Sequence, residues 1–373
     1  MNRFDSFSMS LSNLTVVVIS LDRQHCLQRQ VNYWENTNVN LLIIDGSTQP
    51  TLLSVGESEL TRIRYVHSPA SYRERSLLAA ELIETEYVAQ LPDDEFLIPS
   101  ALSGFVKVLQ DDLSVDSVQG RTVRFIEKTG LLFGAKQYEQ FKDDQDQRLI
   151  GIEAVKSFWS GNYVNSFPIY SVMRAQVYKK MIVNTYSQPC ENAYGYEIRY
   201  NLLFPFWFTT RVMDTLFWLR SNENDPISDI GFDRSKKFSS WFLNPENSES
   251  RKLYLHQTVS VLGLEESAEL KTISEMEEIL LRYSLREVGM FPSTSGSLID
   301  RISRISRVFL GSRSRDFIVS RLPRSLKSFI GYELRKIDEV GNDLLKIGID
   351  VDHAALREIE IIVTKSKIIS LEN

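Results

Sequence analysis

The sequence predicts an α/β protein with an open, mostly parallel β-sheet, followed by a helical C-terminal region. Two observations lead to this prediction. Short apolar runs alternate with helix-forming segments over the first hundred residues, which is typical of βαβ units. The first runs are continuously apolar and β-branched, as in strands that are buried on both faces. The 373 residues are enough for about two domains, and a charged fraction of 25% is ordinary for a globular protein.

Each strand and helix in about the first 110 residues is predicted by a local residue pattern. Strands are predicted where β-branched or aromatic residues cluster, at Leu14 to Ile19, Leu41 to Ile44, Ile63 to Val66 and Tyr87 to Leu91. Helices are predicted between and after them, at Asp22 to Trp34, Ser76 to Glu86 and Ala101 to Leu109. Pro92 is expected to end the fourth strand, because proline cannot donate a backbone hydrogen bond to a neighbouring strand.

Three consecutive acids, Asp93, Asp94 and Glu95, follow the fourth strand, and Asp45 follows the second. Ligands of open α/β sheets bind outside the carboxyl ends of the strands, so these acids are expected at a binding edge. Clustered carboxylates repel one another, and their hard oxygen atoms suit Mg²⁺ or Mn²⁺. A solvated acidic loop is the alternative explanation for the cluster, and Asp45-Gly46 is also a common turn dipeptide.

The second part of the chain has weaker signals. A strand is predicted at Ser117 to Ile126, and residues 127–165 are predicted to be rich in loops. The segment Ser157 to Tyr170 is unusually aromatic, which suits stacking on sugar faces, although core packing is the alternative. A helix is predicted to begin within Cys190 to Arg199, and a strand at Asp214 to Arg220 is predicted to close the sheet.

Four segments, taken in order, resemble the nucleotide-sugar-dependent glycosyltransferases of the GT-A fold, and within them the family 2-like group. They are LTVVVISLDRQHCLQRQVNYW, LLIIDGST, SYRERSLLAAELIETEYVAQLPDDEF and ENAYGYEIRYNLLFPFWFTTRVMDTLFWLR. The resemblance extends over about residues 12–222 and implies a GT-A fold, which is Rossmann-like. Two features depart from the family pattern: the opening loop reads ISLDRQ, and Asp-Asp-Glu replaces Asp-x-Asp.

The resemblance implies donor-binding roles for several residues. Asp45 matches the acid that contacts the nucleotide base, and Arg75, with Arg73 as the second candidate, matches a basic position near the ribose or diphosphate. Asp93 and Glu95 match the two ends of the metal motif. Asp93 is expected nearer the ribose and Glu95 against Mn²⁺ or Mg²⁺, while Asp94 is able to share either task. A divalent cation would stabilise the leaving diphosphate as a Lewis acid.

An acid at the head of a late helix matches the family's general base, which accepts the proton of the acceptor hydroxyl in an inverting transfer. Glu197 is the first candidate and Glu191 the second. Capping of the helix N-terminus is the alternative role for both acids. Arg220 matches the family's closing arginine. Together, these matches predict transfer of a sugar from a nucleotide-sugar donor to a glycan or lipid-linked acceptor, with inversion.

Three regions are predicted. They are a nucleotide-sugar-binding catalytic domain at 1–225, a helical extension at 226–296, and a basic amphipathic helical region at 297–373. Residues 301–336 interleave basic and apolar side chains, which suits an anionic bilayer surface. A helical appendage with a charged outer face is the alternative. His256 in the extension is a further candidate metal ligand, although a lone histidine is more often structural.

Composition narrows the compartment and the function classes. Cys26 and Cys190 form neither a disulfide framework nor a close-spaced metal pair, and no run approaches the ~20 apolar residues of a membrane span. A cytoplasmic protein is expected, with peripheral contact at the inner face of the membrane through 301–336. Nucleic-acid binding is not expected, because the rest of the chain is acidic. A metal-dependent nucleotidyltransferase and a non-catalytic nucleotide- or glycan-binding protein are the alternative functions.

Overall fold

A computed structural model describes residues 11–56, 61–136, 146–162, 168–223, 237–288 and 334–372. Most of the basic segment 301–336 therefore lies outside the described residues, and its contact with a membrane stays a prediction. Among the described helices, none combines the length and the apolar composition that crossing a bilayer requires.

The centre of the fold is a ten-stranded mixed sheet. Its strands are β1 (Leu14–Ser20), β2 (Asn40–Asp45), β3 (Ile63–His67), β4 (Tyr87–Leu91), β5 (Phe96–Leu97), β6 (Ser117–Lys128), β7 (Leu131–Lys136), β8 (Val172–Arg174), β9 (Thr210–Ser221) and β10 (Arg335–Lys336). The main order is β10-β7-β6-β8-β4-β1-β2-β3, and β9 joins β6 and β5. Strands β4, β1, β2 and β3 are parallel, which confirms the predicted parallel core.

Helices cover the sheet on both faces and also form a separate layer. They are α1 (Gln24–Trp34), α2 (Tyr72–Leu82), α3 (Pro99–Asp111), α4 (Ile152–Ser157), α5 (Ala175–Tyr186), α6 (Gly195–Trp207), α7 (Phe238–Leu243), α8 (Ser248–Ser260), α9 (Glu266–Glu287), α10 (Ile337–Lys346) and α11 (His353–Glu372). A short π-helix (Phe158–Asn162) follows α4 directly, and a 3₁₀ turn (Pro168–Tyr170) precedes β8.

Alternation along β1 explains why the sheet has a core on each face. Val16 and Val18 pack in one cluster with α1 and α3, while Val17 and Ile19 pack in the opposite cluster with α2, α5 and α6. Successive side chains of a strand point to opposite faces, so a continuously apolar strand requires two covered faces. A third core joins α4 and α6 to α7, α8 and α9.

One part of the chain differs from the predicted pattern. The stretch 127–165, predicted to be rich in loops, contains β7 and α4. Thr129 and Gly130 join β6 to β7 as a two-residue turn with φ angles of 55° and 75°, the geometry that matches the twist of a tight hairpin. The sequence KTG carries only a weak turn signal, and for that reason the hairpin was missed.

The C-terminal helices pack against the sheet. Strand β10 pairs antiparallel with β7, and the buried side chains of α10 and α11 join the same core as β1. Ile337, Leu344 and Leu356 are fully or almost fully buried there. Helices α10 and α11 thus contribute to the core of the sheet, while the predicted domain boundaries near 225 and 296 stay a prediction.

Candidate active site

The three acids after β4 are buried at the carboxyl edge of the parallel strands. Asp93, Asp94 and Glu95 are only 2%, 7% and 6% exposed. The Gln30 side-chain amide on α1 donates to the backbone carbonyls of Asp93 and Glu95, at 3.0 and 2.7 Å, and so fixes the turn. Such burial excludes the alternative of a solvated acidic loop, because unpaired buried carboxylates are costly.

Asp93 accepts hydrogen bonds from the end of β1 and from the loop that follows it. Ser20 Oγ donates to Asp93 Oδ2 at 2.5 Å, and an Arg23 terminal nitrogen donates to Oδ1 at 3.0 Å. The same arginine nitrogen lies 3.3 Å from Asp94 Oδ2. Burial and the neighbouring Asp94 raise the pKa of Asp93, although Ser20 and Arg23 partly offset this rise.

Glu95 faces the strand that closes the sheet. Pairing of β5 with β9 brings Trp218 close, and its indole Nε1 donates to Glu95 Oε2 at 2.5 Å. Arg220 Nε lies 3.9 Å from Glu95 Oε1. Burial, followed by repulsion from Asp94, raises the pKa of Glu95 well above its ordinary value. Glu95 is therefore a carboxyl group whose ionised form needs more positive charge than its protein partners supply.

The excess of negative charge at the three buried acids fits a divalent cation. The described residues contain no ready cluster of three or more His, Cys, Asp or Glu side chains. Mg²⁺ and Mn²⁺, however, usually bind one or two carboxylates together with substrate phosphates. Burial, followed by repulsion from Asp94, raises the pKa of both Asp93 and Glu95, so an added cation would stabilise their ionised forms. The acids therefore suit a cation that arrives with a phosphate ligand.

His256 lies away from the acids in the sequence and in its contacts. It is on α8, its side chain is 63% exposed, and its Nδ1 lies 3.3 Å from Glu269 Oε1 on α9. These contacts place His256 on the outer surface of the helical extension. Its role as a metal ligand stays a prediction.

Asp45 is fully buried and accepts four hydrogen bonds. The Ser47 backbone amide and Oγ donate to Oδ1 at 2.9 and 2.6 Å, and Thr51 Oγ1 and Tyr65 OH donate to Oδ2 at 2.7 and 2.8 Å. Burial acts to raise the pKa of Asp45, but these bonds outweigh it and the pKa is lowered. To contact a nucleotide base, Asp45 would have to exchange one of these donors for the base.

Arg75 points to the carboxyl ends of β1 and β2. Its side chain is 3% exposed, one terminal nitrogen donates to the carbonyl of Ser20, and Nε has no partner. The guanidinium fills the space where a side chain on Gly46 would lie. Burial lowers the pKa of Arg75, partly against the pull of Asp45 and Asp93. A buried arginine with an unpaired N–H is a strong site for an anion.

Arg73 points elsewhere, because residues two apart on a helix lie about 200° apart. Its Nε donates to the carbonyl of Tyr186 at 2.6 Å, and a terminal nitrogen donates to the carbonyl of Ser187 at 2.8 Å. Arg73 thus binds the C-terminal end of α5, where a cation is favoured by the helix dipole. Of the two predicted arginines, only Arg75 lies against the acidic edge.

Replacing Gly46 tests the position of Arg75. We expect Gly46→Ala to weaken nucleotide binding about tenfold or more, because the added methyl group overlaps with the guanidinium and forces it to move. Calorimetric titration with a panel of nucleoside diphosphates measures the effect. Gly104→Ala on α3 is the matched control, since a Cβ there meets nothing within 4 Å. Equal affinities in the two variants would contradict a role for Arg75.

Glu197 lies in the first turn of α6. Its side chain is exposed, yet surrounding protein raises its pKa by desolvation, a combination expected inside an open cleft. Arg220 acts to lower the pKa of Glu197, and Glu287 on α9 acts to raise it further. Glu191 is exposed in the loop before α6. Arg220, which lies 3.9 Å from Glu95, thus also acts on the pKa of Glu197.

Several residues of the site had no recognisable signal in the sequence. Ser20, Arg23 and Trp218 gain their roles from contacts between distant segments. Tyr170 differs from them, because it ends the aromatic segment Ser157 to Tyr170, for which stacking on sugar faces is one of the two expected roles. The Tyr170 ring lies 4.7 Å from the Trp218 ring, centroid to centroid. Burial raises the pKa of Tyr170, and the charges of Glu95, Glu197 and Arg220 also act on this pKa. The loop sequence ISLDRQ was noted only as a departure from the family pattern, although Ser20 and Arg23 within it contact Asp93.

Comparison with solved structures decides the fold. The fragment 1–349 of S. aureus TarS in complex with UDP-GlcNAc is 11% identical, has a TM-score of 0.50, and the match covers 84% of this chain and 83% of that chain. The chain has a GT-A fold. The GT-A fold is the fold found in nucleotide-sugar-dependent glycosyltransferases.

Other matches are looser. The TarS fragment in complex with UDP is 12% identical at a TM-score of 0.47, covering 96% of this chain and 91% of that chain. Glucosyl-3-phosphoglycerate synthase from Mycobacterium tuberculosis, solved with Mn²⁺ and UDP, is 13% identical at a TM-score of 0.36, covering 70% and 84%. No protein-family model matches the sequence, and a search of curated proteins gave no significant match. At 11% identity, the match to the TarS fragment with UDP-GlcNAc shows the GT-A fold alone.

Proposed function

We propose that this GT-A protein is an inverting glycosyltransferase that uses a nucleotide-sugar donor and a glycan or lipid-linked acceptor. One observation carries the proposal: Arg220 is linked to two acids with different tasks. Its Nε is 3.9 Å from Glu95 Oε1, and its charge lowers the pKa of Glu197 against the effect of burial. A displacement at a sugar carbon needs a group on the leaving-group side and a base on the nucleophile side, and we assign these tasks to Glu95 and Glu197.

The donor side of the cleft offers positive charge for the phosphates of a nucleoside diphosphate and acids for the cation that accompanies them. Arg75 supplies a buried guanidinium, and α1 begins nearby with no acidic residue in its first turn and no side-chain cap. Free N–H groups at a helix N-terminus favour phosphate. Asp93, Asp94 and Glu95 would hold Mn²⁺ or Mg²⁺, with Asp93 nearer the ribose. The bound cation would supply Lewis-acid stabilisation of the leaving diphosphate.

The acceptor side is built from Glu197 and an aromatic floor. Glu197 would accept the proton of the acceptor hydroxyl as the oxygen attacks, and its raised pKa makes it a stronger base than an ordinary glutamate. The Tyr170 ring lies 4.7 Å from the Trp218 ring at an interplanar angle of 37°, and the charges of Glu95 and Glu197 add to the effect of burial in raising the pKa of Tyr170. An aromatic ring at this position suits the apolar face of a sugar.

The aromatic floor leads to a prediction for Tyr170. Tyr170→Ala should slow transfer to a saccharide acceptor about tenfold, because a stacked ring contributes roughly 0.5–1.5 kcal/mol beyond its buried area. Hydrolysis of the donor should change much less, since water needs no stacking surface. Tyr170→Phe keeps the ring and is the matched control. Equal losses of hydrolysis and transfer in Tyr170→Ala would point to a general packing role instead.

A thermal-shift panel of nucleotide sugars, with and without Mn²⁺, tests the proposed function. One donor class should raise the melting temperature in Mn²⁺ and then be turned over with a suitable acceptor. Stabilisation by nucleoside triphosphates alone would favour a nucleotidyltransferase. Stabilisation by a donor that is never turned over would favour a binding protein. The anomeric configuration of the product, read by NMR, then decides between inversion and retention.

A further inference from the structure

One terminal nitrogen of Arg23 bridges two carboxylates of the acidic cluster. It lies 3.0 Å from Asp93 Oδ1 and 3.3 Å from Asp94 Oδ2. The arginine side chain is 14% exposed, and the two acids are more deeply buried. A single cationic nitrogen thus occupies the space between two oxygen atoms of the cluster that we assign to a divalent cation and the donor.

The backbone of Arg23 is fixed by hydrogen bonds, whereas its contacts with these acids are made by the end of a long side chain. Its carbonyl accepts the amides of Cys26 and Leu27 at the start of α1, at 2.9 and 3.2 Å. The preceding Asp22 adopts a left-handed φ of 54°, and its amide donates to Ser47 Oγ at 2.9 Å. The long flexible side chain can therefore change partner without any movement of the helix.

We propose that Arg23 is a resident counter-ion that exchanges partners when the donor binds. Without donor, its guanidinium neutralises Asp93 and Asp94 and competes with a divalent cation for them. With donor, the guanidinium moves to the diphosphate, which lies at the same edge of the sheet, and the two carboxylates become free. This inference rests on the proposed function for the identity of the donor, and it makes donor binding and cation binding reciprocally favourable.

The proposal predicts effects of opposite sign for the two ligands taken separately. Arg23→Gln should bind Mn²⁺ alone about tenfold more tightly than the wild-type protein, because a competitor for the carboxylates is gone; this is within the usual range of coupling between sites. The same variant should bind UDP alone, in chelator, about tenfold more weakly. Electron paramagnetic resonance of free Mn²⁺ and calorimetric titration with UDP measure the two affinities.

Two further variants make the result decisive. Arg64→Gln removes an exposed arginine of β3 that pairs with Glu84 at 3.7 Å, and should match the wild type in both titrations. Arg23→Lys keeps one positive charge without a planar fork and should fall between wild type and Arg23→Gln. It also serves as the test variant if Arg23→Gln does not fold. A misfolded variant would weaken both ligands, whereas the proposal requires opposite changes.

Three outcomes would overturn the exchange. In the first, Arg23→Gln binds Mn²⁺ no more tightly than the wild type does. In the second, no variant binds Mn²⁺. In the third, removal of Arg23 leaves the UDP affinity unchanged. Failure of every variant, including the wild type, to bind UDP has a different meaning. It would count against the proposed donor class, while the Mn²⁺ comparison would still decide whether Arg23 competes for the acids.

Discussion

Glu197→Gln is expected to slow sugar transfer by about 10²- to 10⁴-fold, the usual contribution of a general base. Glutamine keeps the size and most of the hydrogen bonding of glutamate but cannot accept the proton of the acceptor hydroxyl. Donor affinity should barely change, because the acids after β4 are separate from Glu197. Steady-state kinetics with the donor found in the thermal-shift panel measure both quantities.

Glu191→Gln is the matched control for Glu197. It removes a carboxylate from the exposed loop that leads into the same helix, six residues earlier in the chain. Its turnover should stay near that of the wild type. An inactive Glu191→Gln beside an active Glu197→Gln would reverse the assignment. Full activity in both variants, with retention of configuration by NMR, would indicate a mechanism that needs no such base.

The pH dependence of transfer follows from the position of Glu197. A general base must be ionised, so the rate falls as the pH is lowered through its pKa. Desolvation in the cleft and the nearby Glu287 raise this pKa, although Arg220 opposes the rise. The acid limb of the rate profile should therefore lie at a higher pH than an ordinary glutamate would give, and it should be absent from the residual rate of Glu197→Gln.

The parallel core could be predicted because its signals are local. Continuous β-branched runs require two covered faces, and Pro92 marks the end of β4, so the acids had to lie at the carboxyl edge. The hairpin of β6 and β7 was missed because its turn residues, Thr129 and Gly130, are not a typical turn pair. The predicted GT-A fold is confirmed by the match to TarS.

The contacts of the site could not be predicted, because they join segments far apart in the chain. Trp218 reaches Glu95 across more than a hundred residues through the pairing of β5 with β9. The four donors to Asp45 depend on how the loop after β2 folds back. The choice between Arg73 and Arg75 depends on which side of α2 faces the sheet, and the sequence around them is charged on both sides. The assigned roles of these residues stay predictions.

The second large effect is expected at the acids themselves. Asp93→Asn and Glu95→Gln should each weaken donor binding in Mn²⁺ by about 10- to 100-fold, since each removes a negative charge that we assign to the cation and donor site. Folding should be retained, because glutamine still offers an oxygen to the Trp218 indole N–H. Asp111→Asn, at an exposed acid of α3 that pairs with Lys107, is the control and should bind donor normally.

A chelator separates a role in cation binding from a direct contact with the donor. In excess chelator, the wild-type protein should lose about as much donor affinity as Glu95→Gln loses in Mn²⁺. The chelator should then weaken donor binding to Glu95→Gln only slightly further, because this variant already lacks the interaction between Glu95 and the cation. Additive losses would mean that Glu95 contacts the donor independently of the cation. Donor affinity that is unchanged by chelator in the wild type would remove the cation from the mechanism, and Arg23 would then be the cation that the acids use.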